Sequence, residues 1–284
     1  MFNVIRLFSG LFFFMAAVQA TAFEVSGLAV PESFIVDAAV GNYYISNING
    51  KPLEKNNNGF ITKLRPDGRV LEKKFVEGGK RGVTLNAPKG LLIIGGVLYV
   101  SDIDHVRAFD KENGEQKADI DLTSFAPKFL NDLAGGKSGK IYVTGMGTNR
   151  VFVIDTANRN KVSVLASGDK LASPNGIRLH KKNNRLVLNT WDTGEVFWLD
   201  FQGNLKKYTD AALDKGLDGI DFDDEGNLYV SSFTGGKIFR ISPRGKSELL
   251  ISDIVTPADI SLDRKKGLIL IPSFKGDRVF TMKY

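Results

Sequence analysis

The stretch LDGIDFDDEGNLYVSSF, residues 217–233, sets the pattern for the rest of the chain. A short apolar run at 219–222 meets Asp223-Asp224-Glu225-Gly226-Asn227, residue types that tolerate turn dihedrals. The chain then returns as a β-rich run at 228–233. Four more stretches are built the same way: PKGLLIIGGVLYVSDI (88–103), LNDLAGGKSGKIYVTGM (130–146), PNGIRLHKKNNRLVLNTW (174–191) and PADISLDRKKGLILIPSF (257–274). A weaker copy, PESFIVDAAVGNYYISNI, occupies 31–48. The second residues of the six copies are Glu32, Lys89, Asn131, Asn175, Asp218 and Ala258. The last five are spaced by 42, 44, 43 and 40 residues; the first gap is 57, because NGKPLEKNNNG (49–59) and its neighbours are inserted there. A period near forty with several short strands per copy is what propeller blades produce.

Each copy continues with a third run that mostly carries an aromatic (237–241, 195–199, 150–154, 278–282) and a more polar fourth run (248–251, 161–165). Continuous apolar runs predict inner strands buried on both faces, and alternating runs predict half-buried outer strands. The last copy stops after its third strand. Residues 23–28 precede the first copy and can supply the missing strand, closing the ring without an open edge. The expectation is an all-β, six-bladed β-propeller of four-stranded blades over 23–284, with few helices.

Residues 1–22, MFNVIRLFSGLFFFMAAVQATA, hold one charge (Arg6), an apolar run and an A-x-A pattern at Ala20 and Ala22. This is the anatomy of a secretory signal peptide, and the run is short for a transmembrane helix. A periplasmic or secreted protein with no membrane attachment after cleavage is expected. The formal charge is +6, of which the leader carries one, leaving +5. Lys and Arg are scattered without a basic, aromatic-interleaved stripe, so nucleic acid is not an expected partner. The absence of Cys excludes disulfides, thiolate metal sites and Cys nucleophiles.

Propeller geometry sets the starts of the inner strands around one axis, so the six second residues face one another. Two carboxylates, Glu32 and Asp218, and two amides, Asn131 and Asn175, need partners if buried. Hard oxygen ligands with two negative charges suit Ca²⁺ or Mg²⁺. Lys89 can be read as a catalytic base or substrate-binding cation, as a counter-ion that takes the metal's place, or as a side chain that snorkels out of the channel.

LND (130–132), PNGI (174–177) and LDGIDFDDEGNLYV (217–230) carry a resemblance that spans the mature chain. It is to the family of gluconolactonases, senescence marker protein and luciferin-regenerating enzyme, with squid-type diisopropylfluorophosphatase and paraoxonases more distant. The resemblance implies a catalytic divalent metal on the axis, held by Glu32, Asn131, Asn175 and Asp218. It departs from the sugar-lactone members at Phe129, where they often carry Arg. It departs again at Lys89, where paraoxonases have a His proposed as a base.

The ends of the second strands fall on the same face: Asn47, Asp102, Gly145, Thr190, Ser232 and Ser273, each followed by an apolar residue. Trp191 and Phe233 are the preferred wall of a small-molecule pocket, with Phe129 and His105 at its rim. The insertion 49–58 leaves from this face as a lid or a floppy loop. His180 falls at the opposite face with no assigned role. GGKSGK (135–140) lacks the P-loop pattern and reads as a turn. The leading function is hydrolysis of a small lactone or ester, with Asp218 or Lys89 activating water or attacking and Asp132 orienting the site. The alternatives are a non-catalytic ligand- or protein-binding propeller and, more distantly, a lyase or synthase on a related propeller.

Overall fold

The computed structural model describes residues 21–209 and 212–284, so the signal-peptide reading of 1–22 lies outside them apart from its last two residues. Among the described residues, strands form six four-stranded antiparallel sheets, and helical structure is limited to four short 3-10 turns. Five blades follow chain order. The sixth is built from Ser261–Asp263, Leu268–Ser273 and Arg278–Lys283, with Glu24–Ser26 outermost. That strand pairs Glu24 with Phe280 and Ser26 with Arg278, so the N-terminal segment closes the ring as expected, over a shorter span than 23–28. Phe23 anchors it, its ring centroid 5.2 Å from Tyr43 and 6.2 Å from Phe34.

Burial follows the position of each strand in its blade. Leu217–Phe222, flanked by inner strands on both sides, is buried throughout, whereas the outermost Ser247–Ile251 is largely open. Apolar side chains of adjacent blades interlock: Tyr44, Phe75, Leu91, Leu98 and Val100 join the first two. Ala134, Tyr142, Ile177, Leu186 and Leu188 join the third and fourth. Each such Val, Leu, Ile or Phe side chain contributes roughly 1.5–3 kcal/mol through burial.

Ser33 bridges in parallel to Asp259, and the Asp259 N–H donates to the Glu32 carbonyl at 2.9 Å, so the first and last blades meet at the axis. All inner strands therefore start at one face and end at the other, separated by roughly 3.3 Å per residue of strand. No helix among the described residues is long and apolar enough to cross a membrane.

Candidate metal centre

A repeated backbone irregularity aims the ring residues. In the first blade Pro31 pairs with Asn47 and Phe34 with Ile45, so two residues of the inner strand, Glu32 and Ser33, oppose Ser46 alone. The same bulge falls at Pro88/Leu91, Leu130/Leu133, Pro174/Ile177 and Leu217/Ile220. An extra residue bends the strand and re-aims its side chains. The residues inside the five bulges are Glu32-Ser33, Lys89-Gly90, Asn131-Asp132, Asn175-Gly176 and Asp218-Gly219.

A bulge frees a main-chain N–H, and a polar residue on the facing strand takes it up. Ser46 Oγ accepts from Ser33 N at 2.8 Å, Thr144 Oγ1 from Asp132 N at 2.9 Å, Asn189 Oδ1 from Gly176 N at 2.9 Å and Ser231 Oγ from Gly219 N at 2.8 Å. Three of these also donate to the ring carbonyl of the next blade: Thr144 to Asn175 O at 2.7 Å, Asn189 to Asp218 O at 2.6 Å, Ser231 to Ala258 O at 2.7 Å. Ser101 does the same for Asn131 O. These residues were missed at the sequence level. Their signal is a polar residue in the middle of otherwise apolar second strands. Close approach of the blades is permitted by Gly219, where a Cβ would stand 2.1 Å from Ile260 N.

Glu32, Asn131, Asn175 and Asp218 are all buried, and each leaves one side-chain oxygen without a hydrogen-bond partner: Glu32 Oε2, Asn131 Oδ1, Asn175 Oδ1 and Asp218 Oδ1. Among the described residues eight buried side-chain N or O atoms lack partners; these four are joined by Asp259 Oδ1 and Arg178 Nη2 just beneath them. Unpartnered buried oxygens are costly and concentrate where a ligand completes them. The amide nitrogens are engaged elsewhere, Asn175 Nδ2 with Leu217 O at 3.1 Å and Asn131 Nδ2 with Met146 Sδ at 3.8 Å. Two carboxylates and two amide oxygens, unpaired and closed to water, fit a hard divalent cation.

Burial first, then the neighbouring Asp218 and Asp259 carboxylates, raises Glu32 well above the usual carboxylate range. Burial and Asp132 push Asp218 up to about 8. The sixth blade was expected to leave the ring blank at Ala258. One residue further it inserts Asp259, raised by burial and Asp132, which accepts from Ser33 Oγ at 2.6 Å. Asp259 and Asp132 thus form a second acidic layer under the ring. Asp132 Oδ2 accepts from Ile177 N at 2.8 Å and Oδ1 from Leu133 N at 2.6 Å, tying the third blade to the fourth. Arg178 is the cation of this layer; burial works against its charge, but Asp221, Asp132 and Asp259 together outweigh it.

Lys89 does not snorkel. It is 1% exposed, donates from Nζ to its own blade's Ala87 O at 2.9 Å, and lies 4.7 Å from the Phe129 ring centroid. Burial brings its pKa down to about 8 against the pull of Glu32. Around the mouth, Trp191, Phe233 and Phe274 form a half-buried chain with centroids 5.4 and 5.3 Å apart. Phe274 continues into Ile48, Ala87 and Ile103. The polar residues at the second-strand ends turn away from this mouth and fasten the loops entering their own blades: Asp102 accepts from Ala87 N at 2.8 Å, Asn47 from Ala29 N at 3.1 Å. His105 stands at the rim with Nδ1 2.8 Å from Asp104 Oδ1. Lys55 in the insertion pairs with Asp104, and Asn57 bonds to Asn86 and Leu85, so the insertion is fastened to the second blade.

Known structures share this architecture at low sequence identity. Regucalcin from Agrobacterium tumefaciens, a calcium-binding protein, superposes with a TM-score of 0.67 at 17% identity, over 93% of each chain. Virginiamycin B lyase from Staphylococcus aureus gives 0.66 at 13% identity, over 92% of this chain and 98% of the lyase. A protein of unknown function from Bacteroides thetaiotaomicron gives 0.69 at 12% identity, over 93% of this chain and 73% of the other. No curated protein matches in sequence. At these identities the superpositions establish the fold alone. The family model for the SMP-30/gluconolactonase/LRE-like region matches residues 30–261, most of the chain and all of the bulged ring, and the protein belongs to that family.

Proposed function

We propose that the protein is a divalent-metal-dependent hydrolase of a small lactone or ester, with Ca²⁺, or Mg²⁺, held by Glu32, Asn131, Asn175 and Asp218. The observation that carries this reading is the set of four buried, unpartnered oxygens, one from each of these residues. When bound, the ion would supply Lewis-acid polarisation of the substrate carbonyl and stabilise the developing oxyanion. The chain's own groups handle protons and position. With a pKa near 8, Lys89 exists in part as free amine around neutrality, able to accept a proton from water and return it to the leaving alkoxide. Asp218 is the other candidate base or nucleophile. Asp132 and Thr144 hold the third- and fourth-blade ligands in register.

Phe129, Met146, Trp191, Phe233 and Phe274 offer the substrate an apolar and aromatic wall with few groups to read sugar hydroxyls. His105 is the polar contact at the rim. An apolar or aromatic lactone or ester fits this wall better than a sugar lactone. Cleavage of a leader at residues 1–22 would put the reaction in the periplasm or outside the cell.

One observation favours the alternative, a binding propeller without catalysis: Lys89 is fastened to a main-chain carbonyl. Calorimetry on chelator-stripped protein decides the metal question. One Ca²⁺ bound by wild type, with binding lost in Glu32→Gln and Asp218→Asn, supports the site. Absence of Ca²⁺ and Mg²⁺ binding in wild type overturns it.

A further inference from the structure

A broad concavity lies at the far mouth of the channel, away from the ring. It measures about 1050 Å³ and is lined by the ends of the inner strands and the turns that follow them. One side of this funnel is a continuous aromatic wall. The His180 ring stands edge-on to Trp198 with centroids 5.4 Å apart and to Phe222 at 4.7 Å, and Trp198 lies 4.8 Å from Tyr208. His180, Trp198 and Tyr208 are half-buried and face the cavity.

The polar tips of this wall are donors. His180 Nδ1 accepts from Asn183 N at 3.1 Å, which leaves the ring hydrogen on Nε2. Neither that Nε2, nor Trp198 Nε1, nor Tyr208 Oη has a partner among the described residues. Lys181 and Lys182, exposed at the lip beside His180, make no ion pair among the described residues. The nearby buried carboxylates are already engaged: Asp221 accepts from Arg264 at 2.6 Å and from Leu262 N at 2.9 Å, and Asp223 accepts from Asn227 and Tyr229. Unused donors and cations beside these tilted aromatic rings, with the exposed carboxylates of the lining confined to the turn at Asp224 and Glu225, suit an aromatic ligand that carries acceptors and negative charge.

We propose that this funnel is a second binding site, separate from the ring, for an aromatic carboxylate that packs against Trp198 and Tyr208 while Lys181 and Lys182 face its carboxylate. The site does not depend on the metal reading, because a first strand of six or seven residues separates it from the ring.

The chain's two tryptophans make the test direct, since Trp191 is at the ring face and Trp198 in the funnel. In the intact chain, the two indole N–H signals are assigned by Trp191→Phe, and 2-naphthoate is titrated by NMR. The expected result is a saturable shift of the Trp198 signal that leaves Trp191 unmoved. The neutral 2-naphthalenemethanol should bind about tenfold more weakly, and Lys181→Gln with Lys182→Gln should weaken naphthoate roughly fivefold. A Trp198 signal that stays fixed up to about 10 mM naphthoate, an affinity range too weak to matter, overturns the proposal. Equal affinity for the neutral alcohol, or a shift at Trp191 alone, overturns it too.

Discussion

The Lys89 ammonium lies over the Phe129 ring at 4.7 Å and is hydrogen-bonded to Ala87 O, so the charge on the second blade is held by an aromatic face and a carbonyl instead of a carboxylate. Burial therefore dominates its energetics. In the unfolded chain Lys89 titrates near its ordinary 10.5, and in the fold at about 8. Below pH 8 it is charged in both states and the burial penalty is fully present. Between 8 and 10.5 the folded protein loses the proton first, and the penalty fades. Lys89→Met should accordingly stabilise the protein by roughly 1–3 kcal/mol at pH 7, with the gain shrinking toward pH 10. Thermal melts at both pH values measure this. If Lys89 is also the catalytic base, turnover in wild type rises with pH through about 8, and the Met variant loses that limb.

The hydroxyl of Thr144 accepts from Asp132 N and donates to Asn175 O, so one atom couples the third-blade bulge to the fourth-blade ligand. Thr144→Val keeps the shape and removes both bonds. It should cost about 1–3 kcal/mol in stability, the penalty of unpaired buried main-chain groups. It should also lower Ca²⁺ affinity about tenfold, as loss of an outer-shell partner does. Calorimetric titration beside a denaturant melt separates the two effects: a stability loss with unchanged affinity would make Thr144 purely structural.

The repeat was legible because forty-residue periodicity fixes both blade number and the point at which each inner strand starts, and hence the identity of the ring: Glu32, Lys89, Asn131, Asn175, Asp218 and Ala258. Closure by the N-terminal strand was legible because the sixth copy lacks a fourth strand. In the layer beneath the ring, Asp132 was read as a residue that orients the site, but Asp259 was not anticipated. Alternation along a strand would send Asp132 and Asp259 away from the axis; the bulge, a local break in register, brings Asp132 to it, and Asp259 is held there by its bridge to Ser33. Lys89 was undecided for a related reason. Its direction depends on Phe129, which belongs to the next blade and is forty residues away in sequence.

The raised carboxyls tie metal affinity and stability to pH. Asp218 titrates near 4 when unfolded and about 8 in the cation-free fold, so the folded state binds more protons between these values. Its stabilising effect is present below pH 4 and is lost as the pH rises through 8. Stripped protein should melt at progressively lower temperature from pH 5 to pH 8, and Ca²⁺ should reverse the loss. At one hundred times the Kd the reversal amounts to about 2.7 kcal/mol. Ca²⁺ binding at pH 7 should also release protons, detectable as a dependence of the calorimetric heat on buffer ionisation enthalpy. Binding that is independent of pH from 6 to 8 would place the ion away from Asp218.

Closure of the ring depends on a three-residue strand, too short to hold by hydrogen bonds alone. Phe23 supplies the missing adhesion: its ring contacts Phe34 and Tyr43 of the first blade, and its main chain exchanges bonds with Thr281 of the last, 3.1 Å each way. Phe23→Ala removes the apolar contact and keeps the main-chain bonds. A partly buried aromatic at a sheet junction is worth about 2 kcal/mol, which for a domain of this size lowers Tm by roughly 4–8 °C. The more specific consequence is kinetic. Release of Glu24–Ser26 uncovers the edge of Arg278–Lys283, a ready template for pairing with another chain. The variant should therefore unfold faster and aggregate on heating, and hydrogen exchange should open first at Arg278–Lys283. Protection there that matches wild type would mean that the main-chain ladder alone closes the propeller.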